Sequence, residues 1–429
     1  MPRRLTAIAC VVLLIAAFCP RPAAGYGVLA HEAIIDSAWS GDIRPLLVAR
    51  FPAATVDELR EAHGYAYGGA IIQDLGYYPH GSHEFSDIVH YIRTADFIRA
   101  LLRDSQTLDE YAFALGALSH YAADNCGHSL AVNRAVPMLY PRLDRKYGAV
   151  VTYAENPADH MKTEFGFDVL EVAKQRYAPD AYHDFIGFAV AKPLLERAFL
   201  ETYGITFDSL FRDSDKAIGS YRYDVSTLIP RATKVAWQLK KSDIDKSAPT
   251  LTRQKFLYRL SRSSYNKQWG NTYQAPGFGS KILAFLYLFV PKIGPLRDLQ
   301  FKTPTPQTET MFMASFIAAA DSYAGELKEV PAGAPDIPNT NFDTGGAVVP
   351  GEYSLADETY ADLLDRLARA QFKDTPPEMR ADMLHYYADT SISFTTKRNP
   401  KEWARVLIEL DAMKIAQPAA EPSTTASRF

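Results

Sequence analysis

HYAADNCGH, residues 120–128, sets His120, Asp124 and His128 at intervals of four residues. The stretch continues an apolar segment in which Ala112, Leu115, Leu118 and Ala122 recur at helical spacing. That periodicity predicts a helix over roughly 108–130. Residues four apart stack on one face of a helix, so the three polar side chains form a stripe along it. A solvated stripe or a hydrogen-bonded core histidine is the plain reading of any one of them. His-x-x-x-Asp-x-x-x-His as a set raises metal ligation to an equal reading. Gly127 is a point at which the helix can end before His128.

Working outward, the same chemistry recurs on both sides. Nine of the ten histidines precede residue 184, and histidine is the commonest metal ligand as well as a frequent acid–base group. In NPADHMKTEFGFDVLEVAK, residues 156–174, Asn156-Pro157 reads as a helix start. His160 and Glu164 then share a face, a spacing able to clasp zinc, and Phe165, Val169 and Val172 mark the adjoining core side. In SDIVHYIRTADFIRALL, residues 86–102, His90 sits among Ile88, Ile92 and Phe97 on a helical face, with His83 as its rival. Asp74, in IIQDLGYYP, follows an apolar turn and precedes Gly76; alone, it reads as a cap or turn residue.

Residues 1–25 differ from the rest. Arg3 and Arg4 precede the apolar run AIACVVLLIAAFC, and PRPAAG follows. This is the order of a signal peptide, cleaved after Gly25, and it predicts an exported protein, periplasmic or extracellular. A retained anchor is the alternative, although the run is short for a bilayer span. Cleavage removes three arginines and no acids, so the formal charge moves from −4 to −7. It also removes Cys10 and Cys19, leaving Cys126 without an internal disulfide partner. A negative mature chain argues weakly against a general polyanion-binding surface. The new start, YGVLAHEAIIDSAW, places Tyr26 five residues before His31, and a free α-amine and first carbonyl can chelate a metal.

This ordered set resembles the zinc-dependent phospholipase C family, which shares its fold with zinc nucleases specific for single strands. The likeness runs over residues 26–240 or so and implies an all-α, multi-helix bundle holding three zinc ions per chain. By that resemblance, Tyr26 and His31 bind one zinc, and Asp74, His90 and His120 a second. Asp124 bridges two metals, and His128, His160 and Glu164 hold the third. The chain departs from the family in starting with Tyr26 rather than Trp, and in placing His128 four rather than six residues after the bridging Asp. The implied activity is phosphodiester hydrolysis by a metal-activated water, with Asp124 as bridge and Asp74 as ligand, proton acceptor or both. A phospholipid is the expected substrate. The alternatives are a zinc nuclease, with nucleic acid the less favoured partner, and a non-catalytic zinc-stabilised domain binding lipid or a cell-envelope partner.

Downstream of this domain, assigned to 26–249, residues 250–330 read as an insertion or extension. It contains nine consecutive apolar residues, 282–290, between Lys281 and Lys292. They predict peripheral membrane contact or, as the plainer reading, a buried core helix. Residues 331–351, PAGAPDIPNTNFDTGGAVVPG, read as a Pro/Gly-rich linker or long ordered loop. Over 352–415, Tyr360, Leu363, Leu364 and Leu367, then Trp403, Val406, Leu407 and Leu410, predict additional C-terminal helices. Residues 416–429 read as a mobile tail. Oligomeric state is not legible.

Overall fold

The computed structural model describes residues 26–174, 176, 188–225, 229, 232, 235–236, 239 and 301–416. The leader at 1–25, the apolar run at 282–290 and the tail from 417 lie outside the described residues. The described chain is all-α apart from one two-stranded hairpin. No described helix is long and apolar enough to cross a membrane.

The first half contains α1 (Val28–Ala38), α2 (Arg44–Arg50), α3 (Val56–Ile71), α4 (His83–Tyr91), α5 (Thr94–Asp104) and α6 (Leu108–Gly127). It continues with α7 (Asn133–Leu139), α8 (Pro141–Tyr147), α9 (Pro157–Ala173), α10 (Lys192–Tyr203) and α11 (Ser214–Tyr223). The second half adds α12 (Pro306–Glu329), β1 (Thr340–Asn341), β2 (Gly346–Ala347), α13 (Ser354–Arg369), α14 (Pro377–Tyr386) and α15 (Pro400–Ile415).

Local chemistry sets the starts of the long central helices. Thr55 accepts the Glu58 amide while Glu58 reaches back to the Thr55 amide, closing a capping box at α3. Thr107 accepts the Glu110 amide at α6, and Thr305 and Thr308 close a second box ahead of Pro306 in α12.

Helices α3 and α6 cross almost backbone to backbone. A Cβ on Gly69 would stand 2.0 Å from the Phe113 carbonyl oxygen, and one on Gly116 would stand 2.1 Å from that of Ala66. Small residues at the crossing therefore allow a spacing that larger side chains would forbid. This closeness also lets the Ala70 carbonyl on α3 reach His120 on α6.

The second half packs on the first: α12 lies against α1 and α6. Its Tyr323 hydroxyl donates to the Leu115 carbonyl at 2.8 Å. Within residues 331–351, read as a linker or long ordered loop, Phe342 and Asp343 are fully buried. The hairpin can be ordered there because Thr94 and the Asn339 side chain bind the start of α5 to the β1 strand. Helix α13 packs on α4 and α15 on α13, burying Leu363, Leu364, Leu367, Val406 and Leu410 but leaving Leu407 exposed.

Gly116→Ala should lower unfolding free energy by about 1–3 kcal/mol, because backbone and not a flexible side chain fills the space. Gly219→Ala in α11, where a Cβ meets nothing within 4 Å, should be neutral or stabilising by up to about 1 kcal/mol. Denaturant titration of both variants checks the pair.

Candidate metal centre

Six pieces of chain deliver the polar side chains. Helix α1 carries His31, the tight turn Ile72–Tyr77 carries Asp74, and α4 carries His90. Helix α6 carries His120 and Asp124, and α9 carries His160 and Glu164. The chain does not leave the helical path at Gly127: a π-helical turn, His128–Val132, follows directly and carries His128. Such turns recur at functional sites because the wider turn re-aims side chains. Gly127 has another role, since a Cβ there would stand 2.8 Å from the Tyr26 ring.

These residues form three buried groups able to hold an ion: His31, His120 and Asp124; Asp74, His90 and His120; and His128, His160 and Glu164. Within each, the ligand atoms lie within 4.8 Å of one another. Asp124 stands at the middle. Its carboxylate is 3.4 Å from His31 Nε2, 3.6 Å from His90 Nε2, 3.0 Å from His120 Nε2 and 3.9 Å from His128 Nε2. Asp74 Oδ1 lies 3.4 Å from His90 Nε2.

The imidazoles are set for ligation. His90 Nδ1 donates to the Ser86 carbonyl at 2.7 Å and His120 Nδ1 to the Ala70 carbonyl at 2.9 Å. Each bond fixes a tautomer with a bare Nε2 facing the carboxylates, the arrangement that metal-binding histidines use. Asn133 does the converse for His160. Its Nδ2 donates to the Asp343 carbonyl at 2.7 Å, so its Oδ1 faces His160 Nε2 at 2.8 Å and must receive a proton from it. His160 Nδ1 is then a lone pair 2.6 Å from Glu164 Oε1, and two acceptors at that distance call for a cation or a proton between them.

Electrostatics carry the same demand. Burial pushes the Asp124 pKa up, but the imidazoles of His120, His31 and His90 outweigh it and hold the carboxylate well below its usual range. Burial disfavours the His90 cation, yet Asp124 and Asp74 raise its pKa well above the ordinary value. His120 is raised in the same way, against burial, by Asp124 and Asp74. His31 is lowered by burial and by His120, and His160 well below by burial and His128. Asp124 and Asp74 thus favour positive charge at His90 and His120, which a bound metal can also supply.

Many of these atoms have no other partner. Both oxygens of Asp74 and Asp124, both nitrogens of His31 and His128, and Nε2 of His90 and His120 make no well-formed hydrogen bond. Each buried polar atom left so costs about 1–3 kcal/mol, and metal ions in the three groups would satisfy one ligand atom of each residue in them. The residues present therefore fit zinc, whose ligands are imidazole and carboxylate.

Eight of the nine residues singled out in the sequence meet here. Tyr26, the ninth, lies beside them: its ring centroid is 6.1 Å from that of His31, its hydroxyl meets Ser315 Oγ at 2.5 Å, and Phe312 stands edge-on at 5.3 Å. Asp168 fixes the following residues by accepting the Leu29 amide at 3.0 Å. A Cβ on Gly27 would collide with that carboxylate at 2.3 Å. Of the two rivals on α4, His90 faces the centre and His83 packs against Tyr77. Sequence reading did not find Asn133 or Asp343. Asn133 sits in an apolar helix start, and Asp343 in NTNFDTGG has the signature of an ordinary turn residue.

An all-α scaffold with three buried imidazole–carboxylate groups around one shared aspartate defines a multinuclear metal-binding class. Residues 30–213 match the family model described as zinc dependent phospholipase C, and over that span the chain is similar to this family. No curated protein and no solved structure matches the chain.

Asp124→Asn keeps the shape but removes the charge shared by four imidazoles. Zinc content should fall by at least about one ion per chain. Elemental analysis checks this; an unchanged zinc content would exclude a bridging role. Zinc loading should also release protons, because His90 and His120 bind them more tightly than free imidazole and ligation removes them. Zinc affinity should therefore rise from pH 5 to pH 8, measured by calorimetry in buffers of differing ionisation enthalpy.

Proposed function

We propose that the protein is an exported zinc-dependent phosphodiester hydrolase acting on phospholipids in the manner of a phospholipase C. The observation that carries this reading is the set of three buried ligand groups joined through His120 and Asp124. The family match supports the zinc and the substrate class, and the basic, apolar, small-residue order of residues 1–25 supports export with Tyr26 as the mature start.

Zinc ions in the three groups would supply Lewis-acid polarisation of the phosphoryl oxygens and a water of near-neutral pKa. The chain's own residues do the rest. His31, His90, His120, His128, His160 and Glu164 hold the charge in place, and Asp124 keeps the groups close together. Asp74, with neither oxygen hydrogen-bonded, is a ligand that can also take the proton of the attacking water. Burial of the whole set excludes bulk water from these exchanges and strengthens them.

The test uses the processed, zinc-loaded protein with phosphatidylcholine vesicles and with single-stranded DNA. Phosphocholine and diacylglycerol should form, stop on chelation and return on zinc resupply. Cleavage of DNA alone would assign a nuclease, and zinc binding without hydrolysis of either would assign a zinc-stabilised binding domain.

A further inference from the structure

The segment matching the family ends at residue 213, yet a residue far beyond it reaches the third ligand group. Asp343, in the turn of the β1–β2 hairpin, is fully buried. Its Oδ1 lies 3.9 Å from His128 Nδ1, and neither atom has a hydrogen-bond partner. Its Oδ2 is held from the other side by the hydroxyls of Tyr91, at 2.7 Å, and Tyr353. Its amide is fixed by Asn341 Oδ1 at 2.9 Å and its carbonyl accepts from Asn133. Every polar atom of this aspartate except Oδ1 is thus engaged, and Oδ1 is the one turned to His128.

The other histidines show what such an acceptor does. His90 and His120 present Nε2 to Asp124 because a carbonyl receives their Nδ1–H. His128 also presents Nε2 to Asp124, but no carbonyl serves its Nδ1; a carboxylate stands there instead. We propose that Asp343 is a positioning residue for the third metal: it receives the Nδ1–H of His128, fixing the tautomer whose Nε2 binds zinc and making that nitrogen more basic. At 3.9 Å the pair is too far apart for a hydrogen bond, and a small shift of the His128 ring toward Oδ1 would close it. Through its carbonyl the same residue orients Asn133, and so His160. The hairpin thereby governs both imidazoles of one ligand group while touching neither of the other two through its carboxylate.

The inference rests on the zinc reading above, and its test separates the two. Zinc affinities of the wild-type chain and of Asp343→Asn are measured by competition with a chromophoric chelator. One ion should bind about 10–100-fold more weakly in the variant while the others keep their affinities. Equal affinity for all ions in the variant would reduce Asp343 to an acceptor for Tyr91 and Tyr353. No zinc bound by the wild-type chain would overturn the zinc reading and this inference with it. Should the variant not fold, the wild-type chain decides: in histidine-15N-labelled protein loaded with 113Cd, His128 should show cadmium coupling at Nε2 and a proton at Nδ1. Coupling at Nδ1 would overturn the proposal.

Discussion

A single carboxylate, fully buried among four imidazoles, is the constraint around which the rest is arranged. Asp124 would be untenable alone in such a place, since burial opposes its charge. It is tenable because α1, α4, α6 and the π-helical turn each bring a nitrogen to it. The need to bring four chain segments to one point explains features that look incidental elsewhere. The glycine-lined crossing of α3 and α6 brings the Ala70 carbonyl to His120. The missing side chain at Gly127 makes room for Tyr26, and the missing one at Gly27 makes room for Asp168.

The candidate ligands were legible because their chemistry leaves a periodic trace. His120, Asp124 and His128 share a helical face, as do His160 and Glu164, and spacing along one helix survives into three dimensions. Helix content was legible for the same reason, from apolar positions such as Leu115 and Leu118 or Leu363 and Leu367. Asp74 and His90 were placed by resemblance and order, since no spacing relates a turn to a separate helix.

What the sequence did not disclose is long-range. Nothing in PAGAPDIPNTNFDTGGAVVPG distinguishes a tether from a lining segment, because Pro and Gly describe backbone turns and say nothing of what the turn packs against. The structure seats Phe342 against His90 and His120, with centroids at 5.3 and 5.9 Å, and its amide on the His90 carbonyl. Helix α12 was likewise hidden: its Ser315 and Phe312 look like ordinary core residues until Tyr26 is found between them.

The contact between Tyr26 and Ser315 spans 289 positions of the chain, and that between Tyr91 and Asp343 spans 252. Loops of this length close late in folding, since their entropy must be lost before any bond is gained. The helices bearing His31 through Glu164 are complete as chain long before the segments that cover them exist. During synthesis from the N-terminus the ligand groups therefore pass through an open stage, accessible to water and ions, and are sealed by α12 and the hairpin afterwards. Order of emergence thus offers ions an approach in addition to exchange with the finished centre.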